Sequence, residues 1–302
     1  MLNALLSSSN LGSESRRLLH GRGGFFEGLE EVAIDWFAPV ILMTLYTEKE
    51  KNSELIENLI TSATQNPAIK AIVVQERYLQ KSPKKIVHGE LPEQVFAMES
   101  ELKYHLALDR NQNHGFFLDM KPGRDWVRSR AEGKRVLNLF AYTCSLSVSA
   151  LAGNATSVVN LDMASGALAT GRKNHQLNFE PVICQRASYL CHDLFKSWGR
   201  LVREAPFDIV IIDPPSNQGK SFRAETHYSK ILRRLSELLT PDSEILACLN
   251  SPHLDEAFLT QLFAGYQYES RLPFADGFQD QNPAASLKSL CFSVGNSRKP
   301  KP

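Results

Sequence analysis

The sequence lacks any run of 18 apolar residues, any C-x-x-C pair and any clear excess of charge, and each absence excludes a class of protein. Without a long apolar run there is no candidate membrane span. The opening M-L-N-A-L-L-S-S-S-N has no basic residue ahead of its short apolar stretch, so a secretory leader is not expected. With 34 basic against 33 acidic residues the net charge is +1, so any nucleic-acid contact must come from a local patch. The five cysteines, Cys144, Cys184, Cys191, Cys248 and Cys291, are odd in number and unpaired in spacing. That argues against a zinc knuckle or a disulfide framework and for a reducing, cytoplasmic setting with no bound metal.

What is present suggests two domains, since 302 residues exceed the usual single-domain size. Residues 1–20 read as a helix carrying Leu2, Leu5, Leu6, Leu18 and Leu19, interrupted by a polar stretch. Arg16, Arg17, His20 and Arg22, followed by Gly23-Gly24-Phe25-Phe26, form a basic, aromatic segment suited to RNA phosphates and bases, or to a plain solvated loop. Strands are expected at 31–36, 40–46 and 71–75, a helix at 53–63, and a basic turn at 81–85 around Pro83. Residues 95–108 read as one extended segment, because Phe96, Met98, Leu102, Tyr104, Leu106 and Leu108 keep period-two spacing. These elements make a small, β-rich α/β domain over 1–110.

From residue 111 to 302 strands alternate with amphipathic helices, the pattern of a doubly wound parallel sheet. Strands are expected at 134–140, 157–161, 187–191, 207–212 and 244–249, with 267–272 and 287–294 as a closing hairpin. Helices are expected at 145–151, 164–177, 227–239 and 254–263. Phe207–Ile212 is a near-continuous apolar run, as a strand buried on both faces requires.

Three of these strands end at or just before an acid: Leu161 before Asp162, Cys191 before His192-Asp193, and Ile212 before Asp213. In an open parallel sheet the ligand sits beyond the carboxyl ends of the strands, where such acids meet it. Asp162 falls where nucleotide-binding α/β domains use a carboxylate to accept ribose hydroxyl protons, although any one acid also suits a helix N-cap. The first strand-to-helix turn reads A-Y-T-C-S-L-S, without the glycines that let backbone amides approach a pyrophosphate. A ligand with ribose but no phosphate fits, and S-adenosyl-L-methionine is such a ligand. Asp193 suits the adenine amine, with Met163 and Leu194 over the ring faces. In Asp213-Pro214-Pro215-Ser216 two prolines fix φ and remove two donors, leaving carbonyls for a substrate N–H.

N-Q-N-H-G-F-F-L-D-M-K-P-G-R-D-W, V-L-N-L-F-A-Y-T-C-S-L-S, V-V-N-L-D-M, R-K-N-H-Q-L-N, H-D-L-F-K-S-W and D-I-V-I-I-D-P-P-S resemble the large-subunit ribosomal RNA methyltransferases, cytosine-5 and guanine-7 types. The resemblance covers roughly residues 100–295 and implies a Rossmann-like seven-stranded methyltransferase sheet. It also implies that Phe117 and Asp119 fold over S-adenosylmethionine and that Asn138, Phe140, Tyr142 and Thr143 meet its methionine end. The N-terminal PUA domain of the cytosine-5 members is not recognisable.

Two departures from the family pattern stand out. Cys144 replaces the glycine of the usual Y-T-G turn, so a negative φ is expected there, positive φ being strained for a side chain. Asn250 stands where cytosine-5 enzymes carry their nucleophilic thiol, and Cys248 lies two residues deeper on the same strand, expected as packing. Ring or exocyclic nitrogen transfer, which needs no covalent adduct, is therefore favoured over carbon-5. Asp213, Pro214, Pro215, Ser216 and Asn250 would orient the base of an RNA, expected to be ribosomal. A protein or small-molecule N-methyltransferase and a non-catalytic RNA-binding assembly factor are the rival readings. The oligomeric state is left open, a homodimer included.

Overall fold

A computed structural model describes residues 5–6, 11–110, 112–215 and 222–295. By compactness the chain forms two units, Met1–Asp119 with Phe274–Asn282, and Met120–Pro273 with Pro283–Pro302. Among the described residues no helix is long and apolar enough to cross a membrane. Nor does any group of three or more His, Cys, Asp or Glu side chains there suit a metal ion.

The first unit is built on a five-stranded sheet of β1 (Arg16–His20), β2 (Val32–Phe37), β3 (Val40–Leu45), β4 (Ala71–Glu76) and β5 (Lys84–Gly89), in that spatial order. Only β3 and β4 pair in parallel, and α1 (Asn52–Thr64) makes the crossover between them. Leu59 and Ala63 of α1 join Leu19, Ile34, Trp36, Ile41, Met43, Ile72 and Val74 in one core.

Three sequence expectations are corrected here. Residues 16–20 are a strand, not helix, and Arg17 faces Asp35 across the β1–β2 ladder, Nε 2.5 Å from Oδ1. Arg17 lies across from Asp35 and Leu19 across from Ile34, a bulge between them turning the two side chains to opposite faces, so cross-strand pairing decides the segment. Arg17, also 4.2 Å over the Phe278 ring, is thereby used inside the unit. The basic turn at 81–85 is a turn only at its start, Lys81 and Ser82 having φ of 65° and 49°, whereas Lys84 and Lys85 open β5, Lys84 pairing with Gln75. The extended stretch at 95–108 is a hairpin, β6 (Val95–Glu99) and β7 (Leu102–Leu106). Its two turn residues, Ser100 and Glu101, have φ of 50° and 71°. Ala97 pairs with Tyr104 and Phe96 with His105, so Phe96 and Met98 lie on the opposite face from Leu102, Tyr104 and Leu106, and the even-numbered spacing runs through the turn without marking one face.

The second unit is a seven-stranded sheet ordered β10-β9-β8-β11-β12-β14-β13. The parallel strands are β8 (Arg135–Leu139), β9 (Ser157–Asp162), β10 (Ala187–Cys191), β11 (Phe207–Ile212) and β12 (Leu239–Leu249). β14 (Lys288–Ser293) runs antiparallel to both β12 and β13 (Gln267–Arg271). Val136, Ile209 and Ile211 face a core completed by α2 (Lys121–Arg130) and α3 (Ser145–Ala152). Leu137, Leu139, Val210 and Ile212 face the opposite core, completed by α6 (Trp198–Glu204), α7 (Ala224–Leu235) and α8 (Glu256–Leu262). Burial on both faces is why these strands read as unbroken apolar runs. The helices α4 (Ser165–Asn178) and α5 (Pro181–Cys184) link β9 to β10.

Candidate active site

The parallel register sets the site. Leu139 pairs with Leu161 and with Ile212, Leu161 with Leu190, and Ile212 with Ala247, so five strand ends lie in one row. The next residue on each strand is Phe140, Asp162, Cys191, Asp213 and Cys248. Asp193 follows two residues beyond Cys191, and Asn250 two beyond Cys248. The carboxylates read from the sequence therefore share one edge of the sheet. Asp162 and Asp213 stand two strands apart, about 10 Å at ordinary strand spacing.

Asp162 ties two loops together. Its Oδ2 accepts from the Tyr142 amide and its Oδ1 from the Ala164 amide, both at 2.8 Å. Each oxygen retains a lone pair, which suits two ribose hydroxyls. The Asp193 Oδ1 accepts from the Phe195 amide at 2.9 Å, and Lys196 Nζ lies 3.9 Å from its other oxygen. Met163 is 59% exposed beside Asp162, whereas Leu194 is buried at 2%. Asp213 and Pro215 are half-buried, Pro214 is buried and Asn250 is exposed. Ser216 lies outside the described residues. Phe117, exposed, and Asp119, on the 3-10 turn Leu118–Met120, belong to the first unit.

The turn from β8 into α3 is held in an unusual shape. Phe140, Tyr142 and Cys144 have φ of 59°, 48° and 62°, a left-handed backbone costing about 1–2 kcal/mol per side-chain-bearing residue. The expected negative φ at Cys144 is thus overturned. Its backbone is fixed by a 2.7 Å hydrogen bond from its amide to the Ala141 carbonyl, and its side chain lies against a glycine. A Cβ on Gly171 would come within 2.4 Å of the Cys144 Sγ. Burial pushes the Cys144 thiol up, which makes it packing and not a nucleophile. Asn174 Nδ2 donates to the Thr143 carbonyl at 2.9 Å, so α4 clamps the turn at two points. Three left-handed residues in one short turn, held by a neighbouring helix, make it a candidate functional site.

Asn138 lies inside the sheet. Its Nδ2 donates to Asn160 Oδ1 at 3.0 Å, and Asn160 Nδ2 donates to Ser147 Oγ at 3.0 Å. Ser147 Oγ is 2.9 Å from His175 Nε2, and Tyr189 Oη is 2.9 Å from His175 Nδ1, which also lies 2.8 Å from the Gly171 carbonyl. Burial lowers His175 to about 4, so the ring is neutral and links the sheet to the clamping helix.

Two further residues escaped the sequence reading. The Tyr228 hydroxyl bonds the carbonyl of Ile212 at 3.2 Å and that of Cys248, joining the ends of β11 and β12. Lys288, the first residue of β14, is buried and donates to the Ser251 carbonyl at 2.5 Å and the Ala284 carbonyl at 2.7 Å. Because β14 is antiparallel, that start lies at the same edge, paired with Leu249. A lone tyrosine hydroxyl on an apolar helix face and a lysine opening an apolar strand were the available signals.

This donor set suits an adenosine without phosphates: carboxylates for hydroxyls and an amine, and no glycine in the 140–144 turn to admit a pyrophosphate. A model of the S-adenosylmethionine-dependent methyltransferases matches residues 16–293. The chain belongs to that family.

The chain is 28% identical over 251 residues to Ribosomal RNA large subunit methyltransferase I of Aeromonas salmonicida, covering 79% of this chain and 62% of the relative. A Deinococcus radiodurans Ribosomal RNA large subunit methyltransferase is 28% identical over 255 residues, 80% of this chain and 61% of that one. The chain thus spans about three-fifths of the length of these relatives. Among solved structures, a protein described as a methyltransferase and complexed with SAH superposes with a TM-score of 0.80 at 25% identity, covering 93% of this chain and 76% of that one. A Streptococcus mutans protein described as a SAM-dependent methyltransferase gives 0.79 at 25% identity, with 97% and 77% covered. S-adenosylmethionine is accordingly the cofactor of this fold.

Proposed function

We propose that the methyltransferase modifies a nitrogen of a base in ribosomal RNA. Bound along the described edge, S-adenosylmethionine supplies an electrophilic methyl group on a sulfonium. Asp162 would hold the ribose hydroxyls and Asp193 the adenine amine, with Met163 and Leu194 beside the ring. The 140–144 turn would receive the methionine end. Asp213 and the Pro214 and Pro215 carbonyls would accept from the target base, and Asn250 would bond its edge. Catalysis on this reading is positioning in a preorganised, water-poor site.

The observation that carries the choice of nitrogen is the end of β12. Carbon-5 of cytosine needs a thiolate added at carbon-6 before it attacks a methyl group. Here Asn250 is exposed at that strand end, while Cys248 is 1% exposed with its Sγ 3.7 Å from Ser289 Oγ. Exposed Cys191 ends β10 at the far side of the parallel row, next to Asp162 and away from β11 and β12. The names of the relatives support ribosomal RNA as the acceptor.

Mass spectrometry of nucleosides from ribosomal RNA of a strain lacking this protein, against its parent, tests the proposal. One N-methylated nucleoside should be missing and should return on incubation with purified protein and S-adenosylmethionine. Identical profiles would reject ribosomal RNA, and loss of 5-methylcytosine would reject the nitrogen acceptor.

A further inference from the structure

Four rings form a string along the same edge of the second unit. Phe140, in the strained turn, lies 5.1 Å from Phe222, Phe222 lies 5.4 Å from His227 on α7, and His227 lies 5.0 Å from Phe195. The string runs outward: Phe222 is 2% exposed, whereas Phe195, two residues past Asp193, is 37% exposed. The backbone amide of Arg223 donates to His227 Nδ1 at 2.8 Å, which fixes a neutral ring with its remaining proton on Nε2.

Cations surround the exposed end. Lys230 Nζ is 5.8 Å from the Phe195 ring centre, and Lys196 follows Phe195 in the chain with its side chain 84% exposed. Arg223, exposed, precedes α7. Neither Arg223 nor Lys230 has an ion-pair partner among the described residues, and Lys196 has only Asp193 at 3.9 Å. Asp193 and Glu225 are the acidic neighbours, so the cluster keeps net positive charge. What sets Phe195 apart from other exposed apolar side chains is this cationic surround and the ring string behind it. A partly exposed ring among exposed cations is a surface that single-stranded nucleic acid fits, bases on the ring and phosphates on the cations.

We propose that Phe195 and His227, with Lys196, Arg223 and Lys230, form the docking face for the RNA segment flanking the methylated base, one flanking base stacking on Phe195. The inference rests on the RNA reading above and extends it to a surface outside the cofactor and acceptor residues. It accounts for RNA binding by a chain with no overall basic charge.

The test uses the full chain and two fluorescein-labelled 12-nucleotide probes, oligoadenosine and oligouridine, read by anisotropy across a salt series. Phe195→Leu keeps an apolar side chain but removes the aromatic face. It should weaken oligoadenosine binding about tenfold with no change in salt slope, and Phe195→Trp should retain affinity. Arg223→Gln and Lys230→Gln should each lower the slope of log affinity against log salt by about 0.7. Titration of S-adenosylhomocysteine should match the parent within about twofold in every variant, since none of these side chains touches the carboxylate row. Parent-like RNA affinity and slope in all variants would overturn the docking face and leave the RNA reading standing. Loss of S-adenosylhomocysteine binding in Phe195→Leu would also overturn it, by assigning Phe195 to the cofactor pocket. Failure of the parent protein to bind either probe at low salt would remove the RNA reading and the docking face together.

Discussion

The contact between Cys144 and Gly171 gives a prediction whose size follows from geometry. A methyl group at position 171 would lie 2.4 Å from the Cys144 Sγ, 2.9 Å from its Cβ and 3.2 Å from the Thr143 carbonyl oxygen. The first two separations cannot be met without moving the turn, and overpacking of this kind costs about 1–3 kcal/mol. Alanine also gains about 1 kcal/mol over glycine in a helix interior, and Gly171 lies within α4. Gly171→Ala should therefore destabilise the protein by up to about 2 kcal/mol. In a Cys144→Gly background the two closest contacts disappear and the left-handed φ of 62° becomes unstrained, so the same change should be neutral or stabilising. A double-mutant cycle by urea denaturation should give a coupling of at least about 1 kcal/mol, with S-adenosylhomocysteine affinity reduced in Gly171→Ala alone. Effects that add within about 0.5 kcal/mol would refute the packing argument.

Cys248→Ala should retain methyl transfer while losing about 1 kcal/mol of stability, since the thiol is buried; abolished transfer with normal cofactor binding would restore the carbon-5 mechanism. His175, held at about 4 in the fold against about 6.5 in the unfolded chain, binds fewer protons when folded. The contribution of His175 should thus be constant above about pH 6.5 and fall as pH drops towards 4, by roughly 2 kcal/mol at pH 5. His20 and His114, which burial lowers likewise, add to the loss. His175→Gln should shrink the difference in urea midpoint between pH 7 and pH 5, and an unchanged difference would remove His175 as a cause.

The parallel sheet was readable because its strands are buried on both faces and their ends are marked by acids. Asp162, Asp193 and Asp213 needed only strand boundaries to be placed on one edge. The 95–108 hairpin was not readable, because its even-numbered apolar residues run on through the turn although they lie on opposite faces of the two strands. The sign of φ at Cys144 was hidden for a different reason: it depends on Gly171, a residue of another element. Lys288 and Tyr228 act through carbonyls distant in sequence, and residue type alone does not signal such contacts. The run Arg16–His20 misled because paired leucines suit either period, and the deciding partner, Asp35, lies on the next strand.

The central claim is that the carboxylate row binds an adenosine through Asp162. Calorimetric titration of S-adenosylhomocysteine into the parent protein and into Asp162→Ala, with circular dichroism confirming the fold, tests it most directly. A carboxylate accepting hydroxyl protons is worth about 1.5–3 kcal/mol, so the variant should bind at least about tenfold more weakly. Equal affinity in a folded variant would contradict the account.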